Sequence, residues 1–360
     1  MKRFWRLVLL AICFGYCTFG NPARAQQAGP FDVFFNSSIN KGKSGLFFVN
    51  VRTGLSKVVV TNGTDHALLG DGVIFQEIGS GAIMMAYPDG RIEPYTLLQA
   101  SGKNTNVNWI ASSNGKRIAW AVSSTQDQSL LSDLYIAEAD GSNKKLVLHT
   151  SSTKGIETFP LAITDDGRTI FYARQTRESG SYQLFAVASD VFNLNVASGQ
   201  TTQLPGQSAC TCAVGFSGTG RLYARLDPQA SPGSFNVHLW DLSIKVDSII
   251  KAPPLAHRQA GNLLISPNGN LVAYISARGV PPAKGVPPEA YAVIVADVAR
   301  RQQDVIAAPI KVNLRPVAFA PDNSALMLVG VNGDGTYKLT FKDGNLQLVS
   351  AYSFLGTIPG

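Results

Sequence analysis

Cys210 and Cys212 are the residues whose type and spacing point most directly to chemistry, because they form a Cys-x-Cys segment. Two residues apart on a strand, their side chains would share one face, with a Cα separation near the upper limit for an unstrained disulfide. Three interpretations stay open: a local disulfide, two unreactive thiols, and a soft-metal or redox site. We expect thiol labelling of the unreduced protein to decide whether the bridge exists.

Histidine, the commonest general base, occurs four times without any spacing typical of metal ligation or catalysis. The positions are His66, His149, His238 and His257. A Gly-x-Ser-x-Gly segment is absent from the sequence, and Asp165 and Asp166 precede a glycine, which is typical of a turn. The sequence therefore predicts no catalytic residue, no metal and no cofactor, and we expect a protein that is not an enzyme.

The first 25 residues have the pattern of a secretory signal peptide: cations, then an apolar run over residues 7–19, then small residues around Arg24. The run is too short for a membrane-spanning helix, which needs about 20 apolar residues. We expect cleavage near Ala25 and export to the periplasm or the medium. Residues 26–360 would then form a single domain with no membrane span.

The charge of the mature chain argues against a nucleic-acid partner. Four of the 31 cations and none of the 24 acidic residues lie in the predicted signal peptide, so its removal lowers the net charge from +7 to +3. No cluster of five or more Lys and Arg remains, and such a cluster is the usual footprint of a nucleic-acid-binding protein. A charged fraction of only 15% also excludes charge-driven disorder.

A strand and turn pattern repeats through the mature chain and predicts an all-β fold. Its first turn recurs every 43 to 54 residues, at Gly72, Gly115, Gly167, Gly220, Gly269 and Asn323. Glycine and Asn suit such turns because they adopt positive φ at low cost. A third strand is recognisable near Leu46, Met84, Leu134, Phe185, Leu239, Val293 and Lys338. The pattern predicts a seven-bladed β-propeller of four-stranded antiparallel blades.

The opening unit has only three strands, from Phe31 to Ser38 and from Leu46 to Thr61. We expect its missing innermost strand to come from Ala351 to Ile358, so that N- and C-terminal strands pair and close the ring. Closure removes the edge strands that would otherwise invite pairing with another chain. We expect a monomer.

The repeats resemble those of the TolB-like, WD-repeat-like β-propeller family of exported bacterial proteins. Ser113–Ala119, Thr164–Ile170 and Ser266–Ala273 are similar to its Ser-Pro-Asp-Gly-Lys-x-Ile-Ala-Phe motif, and Leu134–Gly141 is similar to its Leu-Tyr-x-x-Asp-x-Asp-Gly motif. The resemblance covers essentially the whole mature chain. It implies the propeller fold and an envelope location.

One face of the predicted ring carries tight turns and the other carries longer loops. The longer loops are Ser123–Ser132, Arg174–Tyr182, Leu226–Phe235 and Arg278–Ala290. Loops on a rigid scaffold often carry binding function, so we expect the long-loop face to bind a partner. The candidate binding residues are Arg174, Arg177, Glu178, Pro281, Pro282, Lys284, Pro287 and Pro288. The alternatives are a passive extended loop and an ordinary solvated surface.

Two functions follow from this organisation. The first is a non-catalytic, exported propeller that binds a protein partner or an envelope polymer through the long-loop face. The alternative is a propeller hydrolase or lyase that acts on a carbohydrate or a lactone at the central channel. Convergence of three or more His, Asp or Glu side chains in the channel would favour the alternative.

Overall fold

The protein folds into seven four-stranded antiparallel sheets arranged as the blades of a β-propeller, which confirms the predicted fold class. The computed structural model describes residues 30–40, 43–98, 105–176, 184–206, 212–228, 234–253, 255, 257–279 and 289–358. Within these ranges no helix is both long and apolar enough to cross a membrane.

The strands follow one another blade by blade along the chain. Blade 1 begins with Phe31–Asn40 (β1), Lys43–Asn50 (β2) and Ser56–Thr61 (β3); blade 2 contains Gly63–Leu69 (β4), Gly72–Glu77 (β5), Ile83–Ala86 (β6) and Ile92–Pro94 (β7), and a 3₁₀ turn, Thr96–Leu98, follows it. Blade 3 contains Thr105–Ala111 (β8), Arg117–Gln126 (β9), Ser129–Glu138 (β10) and Lys145–Ser152 (β11); blade 4 contains Ile156–Ile163 (β12), Thr169–Thr176 (β13), Val191–Asn195 (β14) and Thr201–Gln203 (β15). Blade 5 contains Val214–Phe216 (β16), Leu222–Pro228 (β17), Phe235–Asp241 (β18) and Val246–Ile250 (β19); blade 6 contains Gln259–Ile265 (β20), Leu271–Ala277 (β21), Tyr291–Asp297 (β22) and Gln302–Ile310 (β23). Blade 7 contains Leu314–Phe319 (β24), Ala325–Gly330 (β25), Thr336–Thr340 (β26) and Leu346–Ser350 (β27), and the last strand, Ser353–Ile358 (β28), joins blade 1.

Closure of the ring follows the prediction. Strand β28 takes the innermost position of blade 1 and pairs antiparallel with β1, with Phe31 opposite Ile358 and Phe35 opposite Ser353. The Thr357 hydroxyl also donates a hydrogen bond to the Asp32 carboxylate across the two strands, at 2.6 Å. The two ends of the chain are therefore held in one sheet.

The hydrophobic core lies between neighbouring blades, and strand β22 shows why. Its side chains alternate between the two faces of the sheet: Val293 and Val295 pack toward blade 7, whereas Ile294 and Ala296 pack toward blade 5. Both faces are covered, so the strand is apolar along almost its whole length. Burying one such Val or Ile side chain contributes about 1.5–3 kcal/mol.

The predicted turns are present, with one shift. Gly115 and Gly167 have φ of 67° and 70°, and Asn323 has φ of 57°, the left-handed region that favours Gly and Asn. In blade 2 the residue with positive φ at the turn is Gly70, at 59°, whereas Gly72 already belongs to β5. This hairpin is tighter than the others, which places the turn two residues earlier than predicted.

Two strand and loop predictions are wrong. Residues 123–132 do not form a long loop, because β9 and β10 continue through them and meet at a two-residue turn. Asp127 and Gln128 both have positive φ there, 48° and 64°, as that hairpin type requires. Phe185 does not lie in a third strand, because the third strand of blade 4 is Val191–Asn195 and Phe185 belongs to the connection that precedes it.

Candidate functional site

Most of the sequence-predicted binding residues lie outside the described part of the chain. These are Arg177, Glu178, Pro281, Pro282, Lys284, Pro287 and Pro288. Arg174 is described and lies within strand β13, opposite Thr158 of β12, rather than in a loop. Its backbone N–H donates to the Asp190 carbonyl at 3.2 Å. Whether these residues bind a partner stays a prediction.

Cys212 is disulfide-bonded, and its side chain is buried. Its predicted partner, Cys210, lies outside the described residues, so the Cys210–Cys212 pairing stays a prediction. The backbone of Cys212 forms an antiparallel bridge with Ala188, through N–H to carbonyl bonds of 2.8 and 3.0 Å. The disulfide therefore lies where blade 5 meets the connection from blade 4.

Three of the four histidines have a polar side-chain partner. The shortest contacts are from His149 Nδ1 to Asp133 Oδ1 at 2.6 Å, from His238 Nε2 to Asp247 Oδ2 at 2.9 Å, and from His257 Nδ1 to Ser276 Oγ at 2.7 Å. No three His, Cys, Asp or Glu side chains within the described ranges lie close enough together to hold a metal ion.

His66 is the exception, since its Nε2 is buried and has no hydrogen-bond partner among the described residues. Its ring lies between those of Phe35 and Phe75, with centroid distances of 4.3 and 5.5 Å. Burial among these rings lowers the pKa of His66 to about 4, so the imidazole is neutral at pH 7. His66 packs between blades 1 and 2 as an aromatic side chain.

The first strands of the blades surround a central channel. The inner strands of neighbouring blades are in contact, for example β28 with β4, β8 with β12, and β20 with β24. Several carry a β-bulge, for example between Gly261 and Leu264 in β20 and between Pro316 and Ala318 in β24. A bulge redirects side chains that a regular strand would point between blades, and bulges are common beside functional sites.

The segment Leu184–Ala188 crosses the channel mouth on the long-loop face. The Leu184 N–H donates to Gln259 Oε1 of blade 6 at 2.7 Å, and Ala188 pairs with Cys212 of blade 5. Between them, Phe185 is buried in the core shared by blades 6 and 7. The segment borders an apolar recess of about 320 Å³ whose wall includes Leu161, Val214 and Leu263 of three inner strands.

Arg315 lies near the start of β24, the inner strand of blade 7. Leu314 and Pro316 are buried, whereas Arg315 between them is exposed to solvent. Burial nevertheless lowers the pKa of Arg315. Because β24 is the innermost strand of blade 7, we expect the exposed Arg315 side chain to be accessible from the channel. Within the described residues the Arg315 guanidinium has no hydrogen-bond or ion-pair partner.

Arg258 and His257 lie close by along the ring, immediately before inner strand β20. The Asn262 amide of β20 donates to the Leu314 carbonyl of β24 at 3.2 Å, which ties the two inner strands together. Arg258 is exposed, and its guanidinium likewise has no partner in the described part of the chain. His257 is half-buried, and burial lowers its pKa, so its imidazole is neutral at pH 7. We call Arg258, Arg315 and His257 the channel-mouth group.

The sequence analysis missed this group. The signal was present: Arg315 is a cation inside a strand that the repeat identifies as innermost, flanked by residues that must be buried. A concavity larger than the apolar recess was also missed. It is a cleft of about 1030 Å³ between blades 2 and 3, on the tight-turn face.

Neither the protein-family models nor the curated proteins give a match to this chain. Solved structures do match. An oligogalacturonate lyase in complex with manganese has 11% identity and a TM-score of 0.53, over 84% of this chain and 87% of that one. A puromycin hydrolase has 12% identity and a TM-score of 0.56, over 91% of this chain but only 54% of its own. A TolB-like propeller from Agrobacterium tumefaciens has 12% identity and a TM-score of 0.41, over 91% and 92%.

At these identities the likeness concerns the fold, and the TolB-like fit is too loose to bear on the family. The expectation that the protein is not an enzyme is nevertheless contradicted, because the propellers with the better fit include a lyase and a hydrolase. That expectation depended on the lack of local motifs. In a propeller, residues from separate blades meet at the channel, so a catalytic group leaves no motif in the sequence.

Proposed function

We propose that the protein is a lyase or hydrolase that acts on an acidic carbohydrate bound at the channel mouth. The observation that carries this proposal is Arg315, an exposed guanidinium on an inner strand without a partner among the described residues. An exposed guanidinium that makes no ion pair within the described residues is free to pair with a ligand that supplies the opposite charge.

Arginine suits a carboxylate in particular. The planar guanidinium offers parallel N–H donors that match the two oxygens of a carboxylate, and the pair gains strength where water is depleted. Arg258, at the start of the neighbouring inner strand, could bind a second carboxylate of an oligomer or share the first. An acidic saccharide carries such groups at regular intervals.

The comparison with oligogalacturonate lyase supports the carbohydrate class, since that enzyme is also a propeller matched over most of both chains. An arginine bound to the carboxylate of a uronic acid would withdraw charge and acidify the adjacent C–H, as β-elimination requires. A base must then take that proton as the glycosidic oxygen leaves. His257 is the candidate, because its ring is neutral and its Nε2 makes no hydrogen bond within the described residues.

Activity on oligogalacturonate tests this function. We expect His257→Gln to lower kcat at least 100-fold with little change in KM, since Gln can keep the contact with Ser276 but cannot accept the proton. Arg315→Gln should instead raise KM. Ultraviolet absorbance of an unsaturated product indicates a lyase, and new reducing ends without that absorbance indicate a hydrolase. Arg168→Gln, a matched change at an exposed arginine, should leave both constants unchanged.

The absence of both products from wild-type protein, with a panel of acidic saccharides, would contradict the proposal. The same conclusion holds if Arg168→Gln and Arg315→Gln have equal effects.

Export of the protein is part of the same proposal, because an enzyme for envelope or environmental polysaccharides works outside the cytoplasm. Residues 1–25 carry the predicted signal peptide, and the TolB-like repeats resemble those of envelope proteins. Sequencing the N-terminus of the protein recovered from the periplasm or the medium tests it. We expect the mature chain to begin near Gln26, and a chain that retains Met1 would contradict export by this route.

A further inference from the structure

The cleft between blades 2 and 3 lies on the face opposite the channel mouth. It is built from the turns of both blades, and it is larger than the apolar recess at the channel. A volume of about 1030 Å³ is at the upper end of the range for small-molecule sites. Among the residues that line it are Asp71, Tyr87, Tyr95, Lys116 and Asp140.

Tyr87 and Tyr95 provide the apolar surface of the cleft. The Tyr95 hydroxyl donates to the Ala139 carbonyl of blade 3 at 3.0 Å, which fixes the ring between the blades. The Arg91 guanidinium covers one face of Tyr87, with 4.4 Å between its carbon and the ring centroid. Burial and the charge of Asp71 raise the pKa of Tyr87, so its hydroxyl stays protonated at neutral pH. This hydroxyl has no hydrogen-bond partner in the described part of the chain.

The charged groups of the cleft have both signs. Arg91 is neutralised by Asp89 and Glu93, each at 2.6 Å, and Glu138 is paired with Arg117 at 3.1 Å. Asp71 and Lys116 are exposed and, within the described ranges, have no side-chain partner. The cleft therefore presents free acceptors and free donors around two aromatic rings.

We infer that this cleft binds a neutral oligosaccharide. Sugar hydroxyls both donate and accept hydrogen bonds, so they can use Asp71 and Lys116 together, whereas an anionic ligand meets Asp71 and a cationic ligand meets Lys116. The C–H faces of sugar rings pack on aromatic side chains such as Tyr87, which have an apolar body and a polar edge. The inference is independent of the proposed enzymatic function, because no residue is shared with the channel-mouth group.

Calorimetric titration with neutral hexamers, cellohexaose and N-acetylated chitohexaose, tests the inference on the wild-type protein. Hexagalacturonate and the glucosamine hexamer serve as anionic and cationic probes. We expect at least one neutral hexamer to bind, with affinity reduced about tenfold or more by Tyr87→Ala and about fivefold by Asp71→Asn. Tyr337→Ala is the control, since Tyr337 is a half-buried tyrosine like Tyr87 but lies in blade 7, outside the cleft.

Failure of both neutral hexamers to bind overturns the inference. Equal binding of the neutral hexamer to the wild type and to Asp71→Asn also overturns it, since this change is too small to unfold the turn. A preference for the glucosamine hexamer that Tyr87→Ala abolishes overturns it as well. Arg315→Gln separates this result from the proposed function: it should weaken hexagalacturonate binding and leave the neutral hexamer unaffected.

Discussion

The channel mouth and the cleft between blades 2 and 3 lie on opposite faces of the same ring, and they hold charge in different ways. At the mouth, Arg315 and Arg258 have no counter-charge within the described residues. In the cleft, the cation Arg91 is matched by Asp89 and Glu93, and the free Lys116 lies with the free Asp71. The free charges named at the mouth are cations alone, whereas those of the cleft have both signs.

This difference indicates how one scaffold can select two kinds of ligand. An unpaired guanidinium on an inner strand gains its counter-charge only when a ligand arrives, so it selects for charge. Free groups of both signs around Tyr87 and Tyr95 match the donors and acceptors of sugar hydroxyls, so they select for hydroxyls and shape. Inner strands suit the first role because they are held on both sides, by the sheet and by their neighbours around the ring.

Replacing Arg315 by Met should have the largest effect on this difference. We expect affinity for an acidic saccharide to fall about 100-fold, since a charged bidentate pair is lost. The free energy of unfolding should stay about the same, because Arg315 is exposed and makes no ion pair within the described residues. Affinity measurements and thermal melts check the two parts. A marked loss of stability would show that Arg315 serves the fold, and Arg168→Met provides the matched surface control.

His66 should make the junction of blades 1 and 2 sensitive to acid. Burial lowers its folded pKa to about 4, from 6.5, so the unfolded chain takes up the proton first as pH falls. Stability is therefore complete above pH 6.5 and is lost between pH 6.5 and 4, by about 2–3 kcal/mol. Denaturant unfolding at pH 7, 5.5 and 4 measures this loss. The variant His66→Phe should lose less stability over the same interval, and an unchanged loss would contradict the account.

Removing the Tyr95 hydroxyl should loosen the cleft without affecting the channel. Tyr95→Phe deletes the hydrogen bond to the Ala139 carbonyl, and we expect a loss of about 1 kcal/mol of stability. Burial raises the pKa of Tyr95 to about 12, so the wild type should lose stability as pH rises from 10 to 12. Tyr95→Phe should lose less over that range. Equal alkaline losses in the two proteins would assign the effect to other tyrosines, such as buried Tyr274.

Salt concentration should have the smallest effect, and it should change ligand affinity differently in the two regions. Attraction between a carboxylate and the channel arginines is screened by ions, so affinity for an acidic saccharide should fall roughly threefold between 0.05 and 0.5 M salt. Binding of a neutral hexamer in the cleft should change little. Titrations at both salt concentrations check this, and equal salt dependence of the two ligands would remove the distinction between the regions.

The fold was predictable because its signals are local. Turn residues such as Gly115 and Asn323 require positive φ, and alternation or continuity of apolar residues identifies the strands. Phe185 misled the prediction because an apolar residue in a crossing segment has the same pattern as a strand residue. Residues 123–132 misled the prediction because strand residues that are polar and extend beyond the core have the sequence pattern of a loop.

Neither site was predictable in the same way. Arg258 and Arg315 are 57 residues apart in the chain and lie on the same side of the ring only because β20 and β24 are neighbours around the channel. The cleft residues come from turns of two blades. In the sequence, Asp71 and Asp140 look like ordinary turn residues. The long-loop face was expected to bind a partner, yet a cleft of about 1030 Å³ lies on the tight-turn face, because the gap between two blades depends on their packing and not on loop length.

Calorimetric titration of trigalacturonate into the wild type and Arg315→Gln tests the central claim most directly. The claim is that the unpaired channel arginine binds the carboxylate of an acidic saccharide. We predict measurable binding to the wild type, a loss of about 100-fold in affinity with Arg315→Gln, and an unchanged affinity with Arg168→Gln. Equal affinity of the wild type and Arg315→Gln, or no binding to either protein, would contradict the claim.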